Sequence, residues 1–128
     1  MALYEGDGSA TDYAKCVSAI LMYEDMGLSV KGLMEAGQTP ADILRTTLSD
    51  KTVLELEDCK VDEVLYYINL GHPVFARIGN QDAILLTGYG SSRVQYYDPD
   101  RGQIRNVDYE EMEQMLYNGG NYFIVYIE

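Results

Sequence analysis

From residue 71 to 99 the chain reads GHPVFARIGNQDAILLTGYGSSRVQYYDP, and no other stretch constrains the fold as strongly. It contains three extended segments, 73–78, 83–89 and 94–97, each joined to the next by a tight turn. Gly79-Asn80 supplies the turn chemistry of a hairpin. Asp98-Pro99-Asp100-Arg101-Gly102 is a second strong turn signal. The middle segment, AILLTGY, is apolar at nearly every position, which predicts a strand covered on both faces.

Helical patterns dominate what precedes these strands. The spacing of Ala14, Val17, Ala19, Ile20, Leu21, Met22 and Tyr23 predicts a helix over 11–26, with Ser9 or Thr11 as N-cap and Gly27 as its stop. Its apolar residues cover most of the circumference, the pattern of a central helix packed on more than one side. A shorter helix is expected over 30–35. Another over 40–48 opens with Thr39-Pro40, a cap followed by proline at the first helical position. Residues 52–56 fit a short strand or an extended loop, and 61–70 a helix ended by Gly71. After the three strands come a short strand over 104–107, a helix over 109–117 capped by Asp108 and ended by Gly119-Gly120, and a closing strand over 122–127. Helices first and a strand meander afterwards predict an α+β domain.

Residues 1–10 form an acidic, glycine-containing lead, and Met1-Ala2 is compatible with an expression start on a domain cut from a longer chain. Residues 11–128 are expected to form one domain, long enough to bury a core without staples. No apolar run approaches the roughly 20 residues that span a bilayer, so no membrane insertion is expected. The net charge of −12 argues against nucleic acid and anionic membranes as partners. Cys16 and Cys59 are too few for a disulfide framework and read as buried small hydrophobes. No phosphate-binding loop, dinucleotide fingerprint or zinc-spaced Cys/His set is present, and no cofactor is expected.

DAILLTGYG followed by YYDP resembles the core of the papain-like cysteine peptidases that cut double-glycine leader peptides from bacteriocins. The stretch DYAKCVSAILMYEDMG and the tail YFIVYI support the same resemblance, which spans roughly residues 11–127. It implies the papain-like fold, with N-terminal helices packed on a twisted antiparallel sheet. It also implies a catalytic histidine at position 82 and an orienting aspartate at Asp98. A glutamine that donates to the oxyanion would stand about six residues before the nucleophile. This chain has Asp82 and Gly8 at the first and last of these positions. Counted back from Gly27 without gaps, the nucleophile's own position falls on Ala14. Cys16 lies two residues further on, about 200° around the helix.

A cysteine peptidase needs a thiolate, an imidazole within hydrogen-bond reach and a group that orients it. A carboxylate with a reference pKa of about 3.9 is too weak a base for a thiol of about 8.5. Asp82 therefore cannot replace the imidazole, and nearby anions would hold a thiol protonated. The lone histidine, His72, sits beside a helix stop and reads as a surface or capping residue. Asp98 before Pro99 reads equally as a turn-forming residue. Asp82, Asp98 and Asp100 offer oxygen ligands for a hard cation, but without a binding-loop spacing they read as an unliganded acidic rim.

The expected function is therefore a non-catalytic cysteine-peptidase-like domain, a module of a larger bacterial protein. It would bind a peptide or protein segment in a degenerate substrate cleft. One alternative is an active cysteine peptidase with a rearranged site using Cys16 and His72. Another is a structural interaction domain whose cleft is filled by its own tyrosines. Tyr66, Tyr67, Tyr89, Tyr96, Tyr97, Tyr122 and Tyr126 fall on expected helix or strand faces, where they fit core-edge packing or a peptide groove. Compartment and oligomeric state are left open.

Overall fold

The computed structural model describes residues 12–24, 26, 30–79 and 82–127. The candidate caps Ser9 and Thr11, the helix stop Gly27, Gly8 and Asn80 lie outside the described residues.

Three helices come first: α1 (Asp12–Tyr23), α2 (Val30–Glu35) and α3 (Pro40–Thr47). The first ends three residues short of position 26. At α3 the Thr39 hydroxyl accepts from the Asp42 backbone N–H at 3.2 Å, and the Asp42 carboxylate accepts from the Thr39 N–H at 3.3 Å. This reciprocal capping box, with Pro40 just inside it, satisfies donors that the first turn leaves unpaired. The remaining elements are β1 (Thr52–Leu56), α4 (Val61–Ile68), β2 (Val74–Arg77), β3 (Ala83–Tyr89), β4 (Arg93–Asp98), β5 (Gln103–Asp108), α5 (Tyr109–Asn118) and β6 (Phe123–Ile127). Segment 52–56 is thus a strand. The chain leaves α4 at Ile68, and Gly71, at φ 91°, takes the left-handed conformation that ends the excursion. Asp108 caps α5, its Oδ1 accepting from the Glu111 N–H at 2.8 Å.

The six strands form one sheet in the order β1-β6-β2-β3-β4-β5, and every neighbouring pair is antiparallel. Alternation along the strands divides the core in two. Phe75, Ala83, Leu85, Tyr97, Ile124 and Tyr126 face the layer of α1, α2 and α3. Val74, Ile84, Leu86, Tyr96, Phe123 and Val125 face α4 and α5, meeting Val64, Met112 and Leu116. The apolar run of β3 is therefore buried on both sides, as its composition predicts. Helix α1 is the centre of its layer and touches α2, α3 and β3. The architecture is α+β, with the N-terminal helices on one face of the antiparallel sheet.

Among the described residues no helix is long and apolar enough to cross a membrane. Cys16 and Cys59 are both free. Cys16 is buried, but Cys59 is only half-buried, contrary to the expectation of two core thiols.

Candidate functional site

Three segments converge at one end of the sheet. Antiparallel pairing of Leu85 with Tyr97 sets the start of β3 beside the end of β4. The first turn of α1 packs against this corner. The corner gathers Asp12 and Lys15 from α1, Asp82 just before β3, Asp98 at the end of β4 and Asp100 in the turn that follows.

Asp12 is only 7% exposed. Its carboxyl hydrogen-bonds the Asp100 side chain and accepts from the Ala83 backbone N–H. Burial pushes its pKa up to about 7, with the hydrogen bond and charge of Asp100 adding to the effect. The Asp82 charge adds further, and only the Ala83 N–H opposes it. Lys15 Nζ lies 3.9 Å from Asp100 Oδ1. Two carboxyls thus share a proton at the helix N-terminus, with a third nearby.

Ala14, the position that gapless counting assigns to a nucleophile, lies about 200° around α1 from Asp12. It is 3% exposed and belongs to the core beneath α1. The α1 residue that meets Asp82 and Asp100 is Asp12, two positions earlier on the helix. Asp82 is exposed, and its Oδ2 lies over the backbone of Gly79. Asp98 is tied to its own turn. Its Oδ1 accepts from the Asp100 N–H at 3.0 Å, and its Oδ2 lies 3.8 Å from Arg105 Nη1 and 3.9 Å from Arg101 Nε. That is the turn-forming role its place before Pro99 predicts.

Cys16 has no exposed surface. Burial drives its thiol pKa well upward, the carboxylates of Asp12, Asp100 and Asp98 push in the same direction, and Lys15 alone opposes them. A thiol so placed stays protonated and out of reach of substrate.

His72 lies elsewhere. Its Nδ1 is 3.8 Å from Glu24 Oε2, and its ring lies 4.6 Å from that of Tyr126, tilted by 39°. Glu24 follows the end of α1, eight residues after Cys16, which is about 12 Å of helix rise. The structure therefore does not bring Cys16 and His72 together. Nor is His72 the surface residue that its position suggests, since its side chain is 14% exposed. It lines a pocket of about 320 Å³ beside the C-terminal end of α1, with Tyr23, Thr87, Gln95 and Ile104.

The tyrosines divide by position and do not form one groove. Tyr96, Tyr97 and Tyr126 are core residues, whereas Tyr66 stands exposed on α4. Tyr122 and Tyr126 donate their hydroxyl protons to Glu55 and Glu24 at 2.8 and 3.0 Å. Among the described residues no group of three or more His, Cys, Asp or Glu is placed to hold a metal ion.

Sequence reasoning missed Asp12. An aspartate in the first turn of a helix is ordinary, and only the tertiary contact with Asp82 and Asp100 distinguishes this one.

No protein-family model and no curated protein matches the sequence. Among solved structures, a protein from Bacillus anthracis described as a C39-like peptidase superimposes with a TM-score of 0.75. The superposition covers 94% of this chain and 90% of that one, at 13% sequence identity. Identity this low speaks to architecture alone: the chain has the papain-like fold of a C39-like peptidase.

Proposed function

We propose that this chain is a non-catalytic peptidase-like domain that binds an extended peptide or protein segment in a cleft that has lost its chemistry. The observation that carries this reading is the corner where α1, β3 and β4 meet. A thiol peptidase would need a nucleophile and an imidazole there, and this corner presents Asp12, Asp82 and Asp100. The nearest thiol, Cys16, is sealed in the core. The open pocket at the far end of α1 supports a binding role.

A double-glycine leader peptide is a direct probe. Amide chemical shifts in α1 and around Thr87 and Gln95 are expected to move on titration. Mass spectrometry is expected to find the peptide intact after prolonged incubation. Cleavage that disappears in Cys16→Ala would overturn the proposal, and an absence of shifts would favour a purely structural domain.

A further inference from the structure

Arg77, at the end of β2, is held in place by a backbone carbonyl and an aromatic ring. Its Nε donates to the carbonyl of Gly119 at 2.7 Å, and its guanidinium lies 4.6 Å over the ring of Tyr122. The first contact caps the C-terminal end of α5, where a cation is favoured by the helix dipole. It spends one donor and fixes the plane of the group. Among the described residues no carboxylate lies within ion-pair distance of Arg77, in a chain with 21 acidic and 9 basic residues.

The guanidinium borders a cavity of about 300 Å³ formed by Tyr13, Gly79, Asn118, Gly119 and Gly120. Among the described residues, the side-chain donors left around it are Arg77 Nη1 and Nη2, the Asn118 amide nitrogen and the Tyr13 hydroxyl. The Asn118 Oδ1 is occupied by Gln114 Nε2 at 3.0 Å, which leaves that nitrogen as its unused group. The backbone N–H groups of Gly119 and Gly120 are already bonded to Leu116 and Tyr117. A cavity whose free side-chain groups, among the described residues, can all donate fits a ligand that accepts. A fixed guanidinium with both Nη groups free matches the two oxygens of a carboxylate. Asp82, which contacts Gly79 on the rim, weighs against a dianion such as phosphate.

We infer that the Arg77 cavity is a carboxylate-binding pocket, which receives an acidic side chain or the terminal carboxylate of a bound peptide. The inference deepens the peptide-binding reading and rests on it for the natural ligand. The pocket itself can be probed without a long peptide.

The Arg77 Nε–H resonance is the reporter, in titrations with N-acetyl-Ala-Ala, its C-terminal amide, N-acetyl-Glu-amide and inorganic phosphate. The resonance is expected to shift saturably with a carboxylate probe, with a dissociation constant on the order of millimolar, and to stay put with the amide. A stronger response to N-acetyl-Ala-Ala assigns the pocket to a peptide terminus, and a stronger response to N-acetyl-Glu-amide assigns it to a side chain. Asn118→Asp, an exposed change that leaves Arg77 in place, is expected to weaken binding at least about tenfold by supplying a competing carboxylate. An equal shift with the amide, no loss in Asn118→Asp, or tighter binding of phosphate would each overturn the inference. Leader-peptide shifts confined to α1, with none at Arg77 for any probe, would overturn the pocket and leave the cleft reading standing.

Discussion

Gly119→Ala is expected to destabilise the protein by roughly 3 kcal/mol, a fall in melting temperature on the order of 10 °C for a domain of this size. Backbone entropy points the other way, because at φ −92° alanine fits without strain and the exchange would stabilise by up to about 1 kcal/mol through the unfolded chain. The position decides the sign. A Cβ built on Gly119 would run into the backbone carbonyl of Arg77 and press on the amide nitrogen of Ile78. Neither is a flexible side chain that can swing aside. The end of α5 would have to lift from β2, breaking the Arg77 Nε bond to the Gly119 carbonyl and disturbing the contact of Leu116 with the sheet. Thermal unfolding of the variant measures this directly. An unchanged or raised melting temperature would show that α5 does not approach β2 this closely.

Asp12→Asn is expected to stabilise the protein above neutral pH. The Asp12 carboxyl titrates near 7 in the folded protein against 3.8 for the free group. A raised folded-state pKa means that folding favours the protonated acid. Its contribution to stability is complete below about pH 4 and is lost as pH rises through about 7. At pH 8 the native protein carries the cost of an ionised, buried Asp12 facing Asp100 and Asp82. Each pKa unit corresponds to about 1.4 kcal/mol. Sharing of the proton with Asp100 reduces the part assignable to Asp12 alone, leaving on the order of 2 kcal/mol. Asparagine imitates the neutral acid and can donate to Asp100. Urea unfolding should show the variant more stable than the parent at pH 8, with the gap closing by pH 4. A variant less stable at pH 8, or a gap that ignores pH, would contradict the picture of the corner.

Much of this fold is legible in the sequence because its signals are local. Thr39-Pro40 and Asp108 announce helix starts through capping chemistry that involves only three or four neighbouring residues. The apolar run 83–86 announces a strand buried on both faces. Segment 52–56 stays ambiguous until Thr52 is known to pair with Ile127, a contact across 75 residues of chain. The candidate site is harder to read for the same reason. Nothing near Asp12 in sequence marks it as the partner of Asp82 and Asp100. Counting back from Gly27 lands on Ala14, and an offset of two residues turns a side chain from one face of a helix to the other. Arg77 looks ordinary at a strand end, and its setting depends on Gly119, 42 residues away. His72 also takes its environment from elsewhere, from Glu24 and Tyr126.

A scaffold without a working thiol, as proposed, leaves Cys16 resistant to alkylation. Native protein treated with iodoacetamide at pH 7 and followed by peptide mass spectrometry is expected to leave Cys16 unmodified on the timescale of minutes to hours. Labelling should become complete only when the chain is unfolded in denaturant, because a buried, protonated thiol must be released before it can react. Half-buried Cys59 serves as the internal comparison. Rapid, stoichiometric labelling of Cys16 in the folded protein would reveal an accessible thiolate at the head of α1 and contradict the account.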